Sequence, residues 1–243
     1  MHRFYLPDLR ELVLRGDEAH HGRHVLRLKP GDTVGVFDGR GHEAQCRVDE
    51  IARATIRLTA LQHSSTPPLR CRITLAQAVP KKNMDLIVQK ATELGAAAIV
   101  PLISERTIVQ LDAESAGKTD RWLAIALESC KQCGNNWLPE IQPPRKAREF
   151  LADLPAFDLK LIGSLQPDAR HLKAILANTP ALQRSNTPSV LLLIGPEGDF
   201  TPAELALAKS NGCLPLSLGP LILRSDTAAI YALSILHHEL HAA

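Results

Sequence analysis

Beyond residue 70, the hydrophobic positions alternate between short continuous runs and segments with helical spacing. The continuous runs have the length of strands and read ITLAQAV, AAIVPLI, LKLIG, VLLLIG and LPLSL. The helical spacing predicts helices over 83–94, 118–133 and 168–177, and a last one from Ser225 or Asp226 to Leu240. Strands that alternate with helices are typical of an α/β domain with a mostly parallel sheet.

Residues 1 to about 65 show a different pattern. Turn signals at 29–32 (KPGD) and 38–41 (DGRG) separate short runs, which read ELVLR, TVGVFD, EAQCRVDEI and TIRLTAL. This spacing predicts a small β domain, either a barrel or a sandwich. The segment that follows, QHSSTPPLR at 62–70, has the composition of a linker.

The apolar run at 190–194 leads directly into a glycine turn, GPEG at 195–198, and then into a helix start. TPAE at 201–204 has the spacing of a capping box, with proline at the first helical position. In an open α/β sheet, such a turn lies at the carboxyl end of a strand, where ligands bind. The same joint is common in α/β proteins without a site there. The chain has neither the dinucleotide fingerprint nor a Walker phosphate loop.

A second unusual joint follows the predicted strand LPLSL at 214–218. The turn at 219–224 is apolar except for Arg224, which is uncommon for a solvated loop. We expect this loop to be covered by a ligand, by a knot or by a partner chain.

Net charge, apolar runs and cysteine count indicate where the protein acts but not what it binds. The net charge of +2 over 243 residues permits binding to nucleic acid without demonstrating it. No apolar run approaches transmembrane length, and the opening MHRF is not that of a signal peptide. Five scattered cysteines, an odd number, favour reduced thiols. We therefore expect a cytoplasmic protein that does not enter a membrane.

Five segments carry a resemblance to a known family: GPEGDFTPAE, LGPLILRSDTAAIYAL, RFYL with HVLRLKPGD, MDLIVQKATELGAAAIVPLISERTIVQL and ALESCKQCGNNWLPEI. Together they resemble the ribosomal RNA small subunit methyltransferase E family, part of the SPOUT superfamily of S-adenosylmethionine-dependent RNA methyltransferases. Four positions depart from the family's pattern. Asp199 stands for a glycine, Ser225-Asp226 for Thr-Glu, and Asn135 for an arginine, which removes one candidate RNA or substrate contact.

The resemblance implies the fold and the partners. Residues 1–68 would form a PUA-like RNA-binding β-barrel. Residues 69–243 would form a SPOUT methyltransferase domain, an α/β domain with a parallel sheet and a C-terminal trefoil knot. The cofactor would be S-adenosylmethionine, the protein a homodimer, and the substrate small-subunit (16S) ribosomal RNA or the assembled small subunit. No metal is expected.

The implied reaction is methylation of a uridine at N3, an atom that must first lose its proton. A positive group near the uracil would favour the resulting anion, and Arg224 is the first candidate for that role. Asp226 would orient Arg224 or act as the base, and Glu197 would do the same from the other loop.

The remaining site predictions fall into two sets. Backbone amides and apolar side chains of both turns would hold the cofactor, although plain core packing also explains the leucines: Ile194, Gly195, Pro196, Glu197, Gly198, Leu218, Gly219, Ile222, Leu223 and Thr227. Basic residues would contact RNA phosphates, or else form a solvated face: Arg3, Arg23, His24, Arg27, Lys29, Lys81, Lys82 and Arg106.

The sequence also permits other interpretations. Cys130 and Cys133 have metal or redox spacing but no second pair, and His237 with His241 is typical of a solvated helix end. Ribose 2′-O-methylation, a non-catalytic RNA-binding assembly factor and an ordinary nucleotide-binding α/β protein are the rival functions. Intact GPEG and LGPLILR turns argue against the second, and the missing phosphate loop argues against the third.

Overall fold

The computed structural model describes residues 1–108, 115–180, 182 and 185–241. The last residues of the resembling segment that ends at position 111 therefore lie outside the described part. The chain divides into two compact units. The first contains Met1–Pro68 and Leu127–Leu138, and the second contains Leu69–Ala126 and Pro139–Ala243.

The first unit is built on a five-stranded sheet with the order β1-β3-β4-β5-β2, curled into a half-barrel. Its elements are β1 (Arg3–Tyr5), β2 (Val13–Arg15), α1 (Gly16–His20), a π-helical turn (His21–Val25), β3 (Thr33–Phe37), β4 (His42–Ile51) and β5 (Thr55–Ser65). β1 pairs with β3 in parallel, and the other pairs are antiparallel. In β4, alternate side chains point into the core, as expected for a sheet with one buried face: Ala44, Cys46 and Val48.

The prediction of a linker beginning at residue 62 is wrong for its first four residues. They belong to β5, where Gln62 pairs with Gln45 and Ser65 pairs with His42. The side chains at this end of β5 are exposed, so their polarity reflects contact with solvent and not a break in the strand. Ser64 Oγ donates a hydrogen bond to Glu43 Oε1 at 3.0 Å across the pair.

The second unit contains a parallel sheet with the order β12-β10-β11-β6-β7-β8, and β9 also pairs with β7. Its strands are β6 (Arg72–Ala78), β7 (Ala98–Ile103), β8 (Glu140–Ile141), β9 (Arg145–Lys146), β10 (Leu159–Gly163), β11 (Ser189–Ile194) and β12 (Leu214–Leu216). Every pair is parallel, which confirms the predicted sheet. The middle strands are buried along their length because helices cover both faces of such sheets.

The helices of this part of the chain are α2 (Met84–Glu93), α3 (Ser115–Cys133), α4 (Ala147–Ala152), α5 (Leu172–Leu176), α6 (Pro202–Ser210) and α7 (Ser225–His241). α5 is shorter than the predicted 168–177 for an identifiable reason. The Arg170 N–H donates to the Pro215 carbonyl, and the Arg170 carbonyl accepts from the Ser217 N–H. This bridge to β12 holds the backbone extended before α5 begins. β12 itself ends at Leu216, two residues earlier than predicted.

One buried cluster lies between the sheet and two of these helices. α4 contributes Phe150 and Leu151, α6 contributes Leu205 and Ala208, and β11 contributes Leu191 among its strand residues. Burial of such side chains stabilises the unit by about 1.5–3 kcal/mol each. Within the part of the chain that the structure describes, no helix is both long and apolar enough to cross a membrane.

Candidate active site

The predicted glycine turn follows β11 and leads into α6. Thr201 Oγ1 accepts a hydrogen bond from the Glu204 N–H at 3.3 Å, and Glu204 Oε2 accepts one from the Thr201 N–H at 2.8 Å. This reciprocal pair confirms the predicted capping box. The other oxygen of the buried Glu204 carboxylate accepts from the Glu105 N–H at 3.0 Å, which ties the segment after β7 to the start of α6.

Asp199 gives the turn its shape, at the position where the resembled family has glycine. Its φ of 60° lies in the left-handed region, which among L-residues Asn and Asp tolerate best because their short side chains bond nearby backbone. Here Asp199 Oδ1 accepts from the Phe200 N–H at 2.7 Å. The same oxygen would lie 3.0 Å from a Cβ at residue 195, so the close approach favours glycine at Gly195.

A pocket opens where the ends of β10 and β11 meet the segment after β12. We call it the glycine-turn pocket. Eight of the ten predicted cofactor-binding residues line it: Ile194, Gly195, Pro196, Glu197, Leu218, Gly219, Ile222 and Leu223. Gly198 and Thr227 lie outside this lining. The Gly198 carbonyl accepts from Arg106, and Thr227 is exposed in the first turn of α7.

Sequence reasoning missed the part of this lining that comes from the end of β10. Gly163, Ser164 and Leu165 face the pocket from that strand, and Leu221 faces it from the loop after β12. The strand LKLIG does end in glycine, and the carboxyl ends of parallel strands share one edge of the sheet. These two features together were sufficient to predict that the end of β10 lines the pocket.

The rim of the glycine-turn pocket is apolar and exposed. The exposed fractions are 59% for Leu165, 73% for Leu221 and 81% for Ile222. Apolar side chains gathered at a pocket mouth are typical of a site that encloses a ligand with an apolar face. The glycines in the lining allow a ligand to approach the backbone closely.

A buried polar relay connects three elements behind this pocket. The Gln77 side chain is fully buried, and its Nε2 donates to Ser225 Oγ at 2.9 Å and to the Ala78 carbonyl at 2.8 Å. Ser225 Oγ in turn donates to the Gly195 carbonyl at 2.6 Å. The relay fixes the start of α7 against the ends of β6 and β11. Sequence reasoning missed Gln77, although an amide within the run ITLAQAV was a signal.

A second depression adjoins the pocket, and seven of its eight lining residues have polar or charged side chains. It is lined by Pro80, Lys81, Lys82, Asn83, Glu197, Arg224, Ser225 and Asp226, and we call it the polar depression. The three predicted catalytic residues, Glu197, Arg224 and Asp226, therefore lie together. Glu197 and Ser225 line both sites, so a ligand in one would border a ligand in the other.

The Asp226 carboxylate is held in a fixed orientation. Asn83 Nδ2 donates to Asp226 Oδ2 at 2.8 Å, and the Thr227 N–H donates to Oδ1 at 2.8 Å. The hydrogen bond from Asn83 lowers the pKa of Asp226 most; partial burial opposes it, while the Thr227 N–H and the charge of Arg224 add to it. Asp226 is therefore ionised at neutral pH and is a weak base.

The other charged groups of the polar depression are more open. Glu197 is exposed, and its Oε1 accepts from the Lys81 N–H at 2.8 Å. Arg224, Lys81 and Lys82 are exposed as well, which leaves their charged ends accessible to an anionic ligand. Asn83 has a left-handed φ of 69°, so the chain turns sharply before α2.

Two of the predicted RNA-binding arginines are engaged within the fold. Arg106 Nη1 donates to the Gly198 carbonyl at 2.6 Å and so supports the glycine turn. In the first unit, the Arg3 side chain is only 12% exposed. It donates to the Cys130 carbonyl at 2.8 Å and to Asn136 Oδ1, and it lies over the Phe37 ring.

The other basic residues predicted in the first unit are exposed: Arg23, His24, Arg27 and Lys29. Arg23 Nη1 donates to the Arg53 carbonyl at 2.8 Å, and the His24 ring lies 4.7 Å from the His20 ring. Arg27 has a left-handed φ of 54°. All four side chains are therefore accessible to solvent.

In each of the two paired motifs, burial shifts the pKa of one member. Cys130 is a buried free thiol whose pKa burial raises to about 12, whereas Cys133 is exposed. His237 Nδ1 lies 3.1 Å from the Leu94 carbonyl, and burial together with His237 lowers the pKa of His241, so this helix end is less solvated than predicted. Among the described residues, no cluster of three metal-binding side chains occurs.

Comparison with known proteins agrees with this geometry. Residues 67–237 match the model of an RNA methyltransferase domain, and residues 14–60 match that of an RNA methyltransferase PUA domain. The ribosomal RNA small subunit methyltransferase E of Bacillus subtilis is 30% identical, over 93% of this chain and 89% of the relative. The protein of the same name from Synechocystis is 34% identical, over 92% and 71%.

Solved structures extend the likeness to the whole fold. A methyltransferase from Legionella pneumophila with bound S-adenosylmethionine has a TM-score of 0.88 at 34% identity, covering 98% of this chain and 97% of its own. A ribosomal RNA small subunit methyltransferase E from Neisseria gonorrhoeae, also bound to S-adenosylmethionine, has a TM-score of 0.85 at 31% identity, covering 98% of each chain. The chain therefore belongs to the ribosomal RNA small subunit methyltransferase E family.

Proposed function

We propose that this protein transfers a methyl group from S-adenosylmethionine to N3 of a uridine in 16S ribosomal RNA. As a member of its family, the chain is an S-adenosylmethionine-dependent ribosomal RNA methyltransferase. The observation that carries the finer proposal is the adjacency of the glycine-turn pocket and the polar depression, which share Glu197 and Ser225. A cofactor and a base bound in these two sites would be neighbours.

The glycine-turn pocket fits S-adenosylmethionine. Its exposed apolar rim suits an adenine ring, and its glycine turn offers backbone groups at close approach. We assign cofactor binding to Ile194–Glu197 and Leu218–Leu223, with Gly198 and Thr227 at the margin. When bound, the cofactor supplies an electrophilic methyl group on a sulfonium.

We assign activation of the uridine to the polar depression. Uracil N3 becomes nucleophilic only after it loses its proton, and the charge then spreads over the two neighbouring carbonyl oxygens. The Arg224 guanidinium would stabilise this anion. Because the pKa of Asp226 is lowered, we assign to Asp226 the orientation of Arg224 and to Glu197 the acceptance of the proton.

RNA binding is assigned to the exposed basic residues. In the first unit these are Arg23, His24, Arg27 and Lys29, and beside the active site they are Lys81 and Lys82. Arg3 and Arg106 make contacts within the fold, and we assign to them support of the RNA-binding and cofactor-binding segments respectively. The first unit would thereby act as an RNA-binding domain, as residues 1–68 were expected to do.

Three further properties belong to this proposal. The C-terminal segment would pass through a trefoil knot, with the relay from Gln77 and Gly195 to Ser225 holding the start of α7 at the ends of the paired strands β6 and β11. The protein would act as a homodimer, which the exposed Leu221 and Ile222 support. It would act in the cytoplasm, where ribosomal subunits are available to it.

The proposal is tested by methyl transfer from labelled S-adenosylmethionine to small ribosomal subunits and to naked 16S ribosomal RNA, both lacking the modification. Nucleoside mass spectrometry identifies the product. N3-methyluridine is the expected product, and the preferred form of RNA shows at which stage of assembly the enzyme acts. A ribose-methylated nucleoside would contradict the choice of N3 as the target atom.

A further inference from the structure

A groove lined by four cationic side chains and one carboxylate adjoins the polar depression. It lies between the segment that leads from β6 into α2 and the first turns of α3. We call it the cationic groove. Its lining is Val79, Pro80, Lys81, Lys82, Asn83, Met84, Asp85, Leu86, Lys118, Arg121 and Trp122.

The cationic groove is continuous with the polar depression. Pro80, Lys81, Lys82 and Asn83 line both of them. A polymer with one unit in the polar depression could therefore place its next units in the groove.

The charges of the groove match a polyanion. Among the residues that the structure describes, its cationic side chains are Lys81, Lys82, Lys118 and Arg121, and its carboxylate is Asp85. Lys118 and Arg121 lie three residues apart on α3 and so on one face of that helix. Lys81 and Lys82 are exposed on the opposite wall, so the cations face the groove from both sides.

The side chains between these two walls are apolar, but they offer no aromatic face on which a base could stack. Trp122 is only 3% exposed and Met84 only 6%, whereas Leu86 is 37% exposed. An aromatic ring must present a free face to stack on a base, and Trp122 does not. The groove is therefore suited to the sugar-phosphate backbone, which carries no sequence information.

Asp85 modulates the strength of this site. Its carboxylate forms an ion pair with Arg121, whose side chain is 69% exposed. Exposed ion pairs of this kind contribute little stability, so a phosphate can replace the carboxylate as the partner of Arg121. The same carboxylate reduces the positive charge of the groove.

We infer that the cationic groove binds the backbone phosphates of the RNA strand that flanks the target nucleotide. Lys118 and Arg121 are the residues added to the RNA-binding set. This inference rests on the proposed function for the identity of the RNA, but its contacts are tested by binding and not by methylation.

The experiment measures the affinity of the full-length protein for unmodified 16S ribosomal RNA at several salt concentrations. The test variant is Lys118→Gln with Arg121→Gln, and the control is Lys173→Gln. Lys173 is exposed on α5 and lines neither the cationic groove nor the polar depression. Asp85→Asn is the reciprocal variant, and binding of S-adenosylmethionine is measured for each variant to confirm an intact fold.

The double variant should bind RNA more weakly, with a log–log salt slope shallower by about 1.5, since each lost phosphate contact removes about 0.7–0.9. Asp85→Asn should bind more tightly, and Lys173→Gln should bind as the unaltered protein does. An unchanged affinity and slope in the double variant would overturn the inference. If the double variant binds RNA more weakly as expected but the unaltered protein forms no N3-methyluridine, the inference about the groove is upheld and the proposed function is refuted.

Discussion

The relay from Gln77 through Ser225 to the Gly195 carbonyl makes a quantitative prediction about stability. Gln77→Leu keeps the volume of the buried side chain but leaves two acceptors, Ser225 Oγ and the Ala78 carbonyl, without their donor. An unsatisfied buried group costs about 1–3 kcal/mol. The variant also removes Gln77 Oε1, a buried acceptor that has no hydrogen-bond partner among the described residues, which offsets part of that loss. We expect a net destabilisation of about 2 kcal/mol.

Ser225→Ala removes the donor to the Gly195 carbonyl and the acceptor for Gln77, and should cost about 1–2 kcal/mol. The two variants share one hydrogen bond. The double variant should therefore be less destabilised than the sum of the two by about 1 kcal/mol, the net worth of that bond.

The assay is urea unfolding followed by far-ultraviolet circular dichroism, with each midpoint and slope measured for the four proteins of the cycle. Thr92→Val is the matched control, because the buried Thr92 hydroxyl donates only within α2, to the Val88 carbonyl at 2.8 Å. Its combination with Gln77→Leu should be additive. Additivity of Gln77→Leu with Ser225→Ala to within about 0.3 kcal/mol would refute the relay.

Three further outcomes are expected. Arg224→Ala should lower the rate of methyl transfer at least ~100-fold with unchanged affinity for S-adenosylmethionine, whereas Arg224→Lys should retain part of the rate; near-normal turnover of the alanine variant would exclude the assigned role. Asn83→Ala should raise the pKa of Asp226, because it removes a hydrogen bond that favours the carboxylate. In the unaltered protein, Asp226 is fully ionised above the ordinary pKa of aspartate and becomes protonated only as pH falls through its lowered pKa in the folded state. The acid limb of the pH–rate profile should then move to higher pH, and an unmoved limb would separate Asp226 from the reaction. Thr201→Ala should destabilise the protein by about 1 kcal/mol in urea through loss of its bond with Glu204, and Thr201→Ser should restore most of it.

The parallel sheet and the capping box were predictable because each rests on a local pattern. Apolar runs bounded by helical spacing define buried parallel strands, and the Thr201–Glu204 spacing defines a helix start whatever surrounds it. The strand at 62–65 was not predictable in the same way, because its polar residues are paired by β4 and not by any local preference. Tertiary pairing overrode composition there.

Within the candidate site, the sequence predicted which loops form the site, but it did not predict which of their residues come together. Glu197 and Asp226 line one depression because the turn after β11 and the start of α7 meet in space. No spacing in the sequence records this meeting. The engagement of Arg3 by Cys130 and Asn136 depends likewise on residues remote in sequence. A basic residue that contacts phosphate and one that supports a fold have the same sequence signal.

The strand order of the parallel sheet has a consequence for synthesis of the protein. β6 pairs with β11, and Ile73 of β6 lies opposite Val190 of β11. One edge of β6 therefore stays unpaired until β11 has been synthesised. During translation the chain must therefore carry β6 and β7 with an open, strongly apolar edge until most of the sequence has left the ribosome. Such edges invite aggregation, and non-local parallel pairing forms slowly. Expression yield should thus depend on chaperones and on the rate of elongation more than on the stability of the finished protein.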